Sequence, residues 1–280
     1  MKCVCLNLLI LVIQIVSVQA QVSLEDLRKA QEDIDTFNYQ DRGRCIIFKE
    51  GMKNVPYLNI LPFNVNEDNR QICIVTYASF NRYDQFLEDM INSIGNSFKG
   101  HLLYRRGGWP NSEGQCYTHA FSPYGFKVCA SQEAYNLGYK KILWLDSIVE
   151  VLNDLTPLFD LLDTQPFFYR YSHYPFHEHV SPGLIQEFRL EKSEISSYKH
   201  IATGVLGFNF SNPACVDVLE KWHEYSKKRI VWSRLFPEQM LLSVILCRMG
   251  FEDLVLDNLI YFGEEFSNRH FFRINYSKKN

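Results

Sequence analysis

Two apolar runs constrain the fold more than any other feature of the chain. Ile72-Cys73-Ile74-Val75-Thr76-Tyr77 and Lys141-Ile142-Leu143-Trp144-Leu145 carry apolar, β-branched or aromatic residues at almost every position. A strand wetted on one face alternates apolar with polar side chains, so an unbroken run predicts a strand covered on both faces. The segments between them complete the pattern. Phe86, Leu87, Met90, Ile91 and Ile94 recur at helical spacing from Asp84 to Ile94. His101-Leu102-Leu103-Tyr104 is a further strand candidate. Pro123-Tyr124-Gly125-Phe126-Lys127 leads into a helix that ends near Leu137, with Gly138 as its cap. Strand, helix, strand, helix, strand in that order predicts an α/β fold: a mostly parallel sheet with helices on both faces. Ligands of such sheets bind outside the carboxyl ends of the strands. Residues 76–82 and 146–150 fall at those ends.

The remainder alternates less cleanly. A short helix is expected from Asp154 through Phe159, a strand from Pro166 to Tyr171, and a strand over Val205–Phe210. Helices are expected over Pro213–Lys227 and Pro237–Gly250, with Leu254–Phe262 closing the sheet. The polar, His- and Pro-containing stretch Ser172–Tyr198 reads as an irregular functional loop or lid. Upstream, Met1-Lys2, the apolar run Cys3–Val18 and the small residues of Val18-Gln19-Ala20 read as a signal peptide over residues 1–20. The same run approaches the ~18 residues of a spanning helix, so an uncleaved anchor is the alternative. Either places the rest in the secretory lumen or outside the cell. Residues 21–69 read as a polar arm or stem with a weak capping signal at Ser23 and Asp26, and the sheet domain is expected over 70–280.

Composition narrows the function classes. Lys and Arg number 29 against 32 Asp and Glu, for a formal charge of −3, so nothing suggests a basic face for nucleic acid. No G-x-S-x-G elbow, P-loop or G-x-G-x-x-G occurs, which leaves hydrolase, NTPase and dinucleotide readings without a motif. Six of the 8 Cys lie beyond the leader. Cys116 and Cys129 flank a loop-like stretch and are the favoured disulfide, while Cys73 and Cys247, in apolar runs, read equally as free thiols. Asn209-Phe210-Ser211 and Asn275-Tyr276-Ser277 are glycan acceptor sequons, the first in a strand-like run where burial opposes modification.

An Asp released from a buried strand, as Asp146 is, costs several kcal/mol to desolvate unless a cation, backbone N–H groups or a basic side chain partner it. The plainer reading is that Asp146-Ser147 caps a turn. The stretch Gly138-Tyr139-Lys140-Lys141-Ile142-Leu143-Trp144-Leu145-Asp146-Ser147 carries more. With Pro123–Lys127 before it and Thr203-Gly204-Val205-Leu206-Gly207-Phe208-Asn209-Phe210 after it, it resembles GT-A-type nucleotide-diphospho-sugar transferases. The resemblance covers about Gln71 to Phe262 and includes Glu238-Gln239 opening a helix. It implies transfer of a sugar from a nucleotide-diphospho-sugar donor to a hydroxyl of a glycan, protein or lipid acceptor. It also implies Mn2+ or Mg2+ held by an Asp-x-Asp pair. Here that triplet is Asp146-Ser147-Ile148. Glu150 stands in as a metal ligand only if 146–150 stays extended, with alternation putting both carboxylates on one face.

Asp146 and Glu238 are the candidate catalytic carboxylates, although Pro237-Glu238-Gln239 is also an ordinary helix opening. Thr76, Tyr77, Arg82, Lys127, Ser147 and Gly204 are the candidate nucleotide-sugar contacts. Tyr77 or Phe80 is available to stack on the base, and Gly204 to let backbone approach the sugar. Lys127 at a helix start opposes the helix dipole, which points to an anion nearby, such as the leaving diphosphate. His173, His177 and His179 with Glu178 could hold zinc in a metal hydrolase, but Pro175 breaks the helical register that would make them converge. The preferred role for His173 and His177 is a lid over sugar or acceptor. Loss of the second Asp keeps a further alternative open, a secreted sugar- or partner-binding protein without catalysis.

Overall fold

The computed structural model describes residues 58–78, 82–95, 98–106, 124–228, 237–251, 260–261 and 270–274. The leader, the arm up to residue 57, Phe80, Cys116 and Asn275 lie outside the described residues, as does the side chain of Arg82. In chain order the elements are β1 (Asn59–Phe63), β2 (Ile72–Ala78), α1 (Arg82–Ile94), β3 (Gly100–Arg106), α2 (Phe126–Asn136), β4 (Lys141–Leu145) and β5 (Val149–Val151). They continue with α3 (Thr156–Thr164), β6 (Phe167–Tyr171), α4 (Phe176–His179), α5 (Pro182–Phe188), α6 (Lys192–Ser197) and β7 (Ile201–Asn209). The last are α7 (Pro213–Ser226), α8 (Pro237–Arg248), β8 (Ile260–Tyr261) and β9 (Phe272–Ile274).

Six strands form one sheet in the order β1-β3-β2-β4-β7-β6. β2 lies parallel to both β3 and β4, while β1, β7 and β6 are joined by antiparallel pairings. β3, β2, β4 and β6 therefore point one way and only β1 and β7 oppose them, the mostly parallel sheet that the apolar runs predict. Alternation along the strands fills both faces. Cys73 and Val75 of β2 and Ile142 and Trp144 of β4 pack with α2, α7 and α8. Ile74, Leu143 and Leu145 pack on the other side with α1 and α3. Gly138 ends α2 at φ 87°, with its N–H on Tyr135 O (2.9 Å) and Tyr139 N–H on Ala134 O (3.2 Å). That is the paired bonding of a glycine-capped helix end.

Three expectations need correction. The sheet begins before Gln71, because Asn59–Phe63 pairs with β3; its Pro62 is tolerated because the strand is an edge. Leu254–Phe262 does not close this sheet. Its described part, Ile260–Tyr261, pairs with β9 in a separate sheet of order β5-β9-β8, and β6 occupies the edge instead. Ser172–Tyr198 is not an irregular loop: α4, α5 and α6 run through it. Local capping explains them. Ser181 Oγ accepts from Leu184 N (3.0 Å) ahead of Pro182, and Glu191 and Glu194 form a reciprocal capping box. Each helix is too short to show a sustained apolar period, the signal such a reading relies on.

Cys73 and Cys215 are buried free thiols and Cys129 is buried on α2. The sequon residue Asn209 is buried, its Nδ2 donating to Leu162 O (2.6 Å) and its Oδ1 accepting from Ser211 N (2.9 Å). No described helix is long and apolar enough to cross a membrane. Gly207 in β7 has no room for a side chain, since a Cβ there would lie 2.4 Å from the ring of buried Phe168. Gly207→Ala is expected to lower stability by about 1–3 kcal/mol, the usual cost of overpacking. The measurement is a lower urea midpoint at unchanged slope.

Candidate functional site

The carboxyl end of β4 gathers a buried ammonium and two carboxyl groups. Lys127, the second residue of α2, is 2% exposed. Its Nζ donates to Asp146 Oδ1 at 2.9 Å, to Thr203 Oγ1 at 3.1 Å and to Thr203 O at 3.2 Å. Asp146 Oδ2 lies 3.3 Å away and Glu238 Oε1 3.5 Å. An ammonium has three N–H donors, and these oxygens engage all of them. An anion does offset Lys127 at this helix start, but that anion is the protein's own. Lys127 is sealed and does not serve as a clamp for a ligand's diphosphate.

Three elements converge to make this arrangement. Asp146 leaves β4 at the first turn position, its N–H on Gly204 O (2.9 Å) and its O accepting from Val149 N (2.9 Å). Trp144 is two residues earlier, hence on the same face, and its Nε1 donates to Asp146 Oδ1 (2.9 Å). β7 supplies Thr203 and Gly204 by bulging: its pairing with β6 passes from Phe168–Gly207 straight to Arg170–Ala202. α8 supplies Glu238, which is fully buried and whose Oε1 accepts from Thr203 Oγ1 (2.9 Å).

Burial acts on both enclosed groups, the Glu238 carboxyl and the Lys127 ammonium. Desolvation holds the Glu238 carboxyl above the ordinary carboxylate range, although Lys127 and Thr203 pull the other way. Its Oε2 is buried without a hydrogen-bond partner among the described residues. Burial alone would lower Lys127, but Asp146 and Glu238 beside it outweigh that and raise it. Asp146, with a side chain 30% exposed, is the member of the set that meets solvent.

The other predicted residues divide. Tyr77 is half-buried against Phe126 (ring centroids 4.4 Å), which continues to Trp144 (5.9 Å) and Tyr124 (6.1 Å). Gly204 stands beside Asp146, where a Cβ would lie 3.5 Å from Oδ2. Ser147 is buried in the turn that follows. Thr76 is fully buried and, by alternation, faces the α1 side of β2, away from Tyr77 and this cluster. Arg82 opens α1. Glu150 does not join Asp146: the chain turns at 146–149, and Glu150 bonds Arg273 across the small sheet (2.9 Å to Nε). Glu238 is too enclosed to reach a substrate and fixes Lys127 instead.

The residues present therefore do not fit a divalent cation. Hard cations take several oxygen ligands, yet one oxygen of Asp146 already accepts from Trp144 and Lys127, and both lie within 3.3 Å of the ammonium. No group of three or more His, Cys, Asp or Glu among the described residues is arranged to hold a metal, the His segment included. A helix does form here, contrary to the expected loop, but Pro175 is its N-cap, so His173 lies outside the helix that carries His177 and His179. His173 instead stacks beside Tyr174 (4.1 Å), which meets His179 (5.4 Å) and His200 (6.3 Å), whereas His177 pairs at the surface with Glu178 (3.9 Å).

No family model and no curated protein matches the chain. The solved structures that it matches include glycosyltransferases. One acts in glycosylation of the major capsid of PBCV-1 (14% identity, TM-score 0.49, covering 73% of this chain and 93% of that one). Another is mouse xyloside xylosyltransferase 1 (9% identity, TM-score 0.46, 74% and 98%). A third is the bifunctional glycosyltransferase WbbM (12% identity, TM-score 0.46, covering 71% of this chain); the chain spans 41% of that structure's length.

Thr203, with Gly204, is expected only to let backbone approach a sugar, and the sequence assigns no role to Trp144, Tyr124 or His200. Trp144 was findable, because alternation places it beside Asp146; Tyr124, with φ 64°, carries no sequence signal for that strained conformation. His200 is buried, and its Nε2 donates to Gln239 Oε1 (2.6 Å).

Removing the ammonium should cost more than removing the buried acid. Lys127→Met takes the counter-charge from Asp146 and a donor from Thr203, and is expected to lose about 3 kcal/mol or more. Glu238→Gln keeps the shape and the acceptor for Thr203 but removes a carboxyl beside the ammonium, and should cost about 1–2 kcal/mol. Melting temperatures of both variants check this. Burial, together with His179 and His173, lowers the His200 pKa from 6.5 to about 4, against the bond to Gln239. Its contribution is therefore present above pH 6.5 and lost as pH falls towards 4, on the order of 3 kcal/mol by linkage. His200→Gln should flatten that acid decline in urea unfolding between these pH values.

Proposed function

We propose that the protein is a glycosyltransferase that moves a sugar from a nucleotide-diphospho-sugar to an acceptor hydroxyl. The observation that carries this is the position of Asp146: a half-exposed carboxylate at the carboxyl end of a central strand, held by Trp144 and Lys127 and flanked by Gly204. Ligands of parallel sheets bind at such strand ends, and the motif around Asp146 is the one that resembles GT-A-type transferases. Tyr77, Phe126 and Tyr124 offer aromatic faces for base or sugar beside it. The apolar leader supports action in the secretory lumen or outside the cell, with the acceptor a glycan, protein or lipid.

Asp146 orients the sugar through its hydroxyls, and the fixed dipoles around it spare the transition state any reorganisation. The enclosure of Glu238 favours a second reading, the same fold as a sugar-binding module without transfer, since the expected second carboxylate cannot reach a substrate.

Thermal shift with a panel of UDP- and GDP-sugars tests binding, and release of nucleoside diphosphate tests transfer. At least one nucleotide sugar is expected to raise the melting temperature, and Asp146→Asn to lower turnover by about 100-fold with the fold retained. Binding without turnover would favour the second reading. No shift with any nucleotide sugar would overturn both.

A further inference from the structure

Asp146 sits where the transferase motif puts a metal ligand, yet its surroundings are those of a different chemistry. Lys127 is anchored from behind by Thr203 and Glu238, so its ammonium cannot swing away to admit another cation. Its positive charge stands 2.9 Å from Oδ1 and 3.3 Å from Oδ2. A divalent ion on either oxygen would be driven against that charge in a partly desolvated site, where repulsion is weakly screened. The residue that would share the ion is Ile148, and Glu150 is spent on Arg273.

The two oxygens of Asp146 also differ. Oδ1 accepts from both Trp144 and Lys127, whereas among the described residues Oδ2 has only the longer approach from Lys127. On its open side stands Gly204, whose missing side chain leaves the space beside Oδ2 free. An acceptor oxygen with room in front of it, fixed on its other side by two donors, is suited to take a hydroxyl hydrogen bond.

We infer that this site works without a divalent cation: Lys127 is a built-in, permanent counter-ion for Asp146, and Asp146 Oδ2 receives a sugar hydroxyl directly. This rests on the nucleotide-sugar reading above only for the identity of the ligand. The cation part stands on the donor set.

Mn2+ titration followed by electron paramagnetic resonance reads the cation part on the wild-type protein, with no nucleotide needed. The expected result is that wild type and Asp146→Asn bind Mn2+ equally weakly. A Mn2+ ion bound by wild type and lost in Asp146→Asn overturns the inference while leaving the transferase reading intact. Lys127→Ala removes the competing charge and should gain Mn2+ affinity by about tenfold or more; should it not fold, the wild-type comparison still decides. For the ligand part, the thermal shift by UDP- and GDP-sugars should be the same in EDTA as in Mn2+, and Gly204→Val should abolish it. A shift that requires Mn2+ overturns the inference. Absence of any shift in either buffer counts against the nucleotide-sugar reading, with the Mn2+ titration still judging the cation part.

Discussion

A buried ammonium between two acids sets the terms for the rest of this molecule. Lys127 cannot be left in an apolar core unpaired, because an uncompensated buried charge costs several kcal/mol. Its partners come from three separate places: the end of β4, the bulge in β7 and the first turn of α8. One side chain thereby ties α2 to the strand end, to the neighbouring antiparallel strand and to the helix behind it. The arrangement fixes the sheet's ligand-facing end as one unit. The same stretch of β7 is where its pairing with β6 is irregular.

Rigidity at the strand end has a consequence for Asp146. Trp144 Nε1, Lys127 Nζ and the Gly204 carbonyl on the Asp146 N–H fix the residue on three sides. A half-exposed carboxylate normally loses side-chain entropy when it binds something. Here that loss has been met in folding, so the remaining open oxygen is presented ready-made. The aromatic faces of Tyr77, Phe126 and Tyr124 extend the same fixed surface, and they use part of an aromatic content that otherwise fills the core.

The central strands were legible in the sequence because burial on both faces leaves an unbroken apolar run, as in Lys141–Leu145, whose observed ends match the reading residue for residue. Asp146 was legible for the complementary reason: a charge directly after such a run must be accounted for. β1 was not, since a short edge strand containing Pro62 has neither run nor alternation. The partnership of Lys127 with Glu238 was equally hidden. The two residues are far apart in sequence, and Glu238 looks ordinary at its own helix start. The sense of the Lys127 anomaly could be read, namely that a cation at a helix start needs an anion, but not whether that anion was a ligand or the protein. Glu150 failed for a local reason, the turn after Asp146 that breaks the alternation on which its alignment depended.

The two acids beside Lys127 show how far environment separates chemically similar groups. Glu238 is fully enclosed, so burial favours its protonated form and its task is to hold Thr203 and Lys127 in place. Asp146 meets solvent and takes the shorter contact to the ammonium. Neutralisation by Lys127 makes Asp146 a poor ligand for a hard cation, yet leaves it a good acceptor for a neutral donor such as a hydroxyl. A carboxylate paired in this way discriminates by hydrogen bonding and shape rather than by charge. Ile148, two residues on, brings no second carboxylate, so the buried Lys127 is the positive charge that balances Asp146 at this strand end.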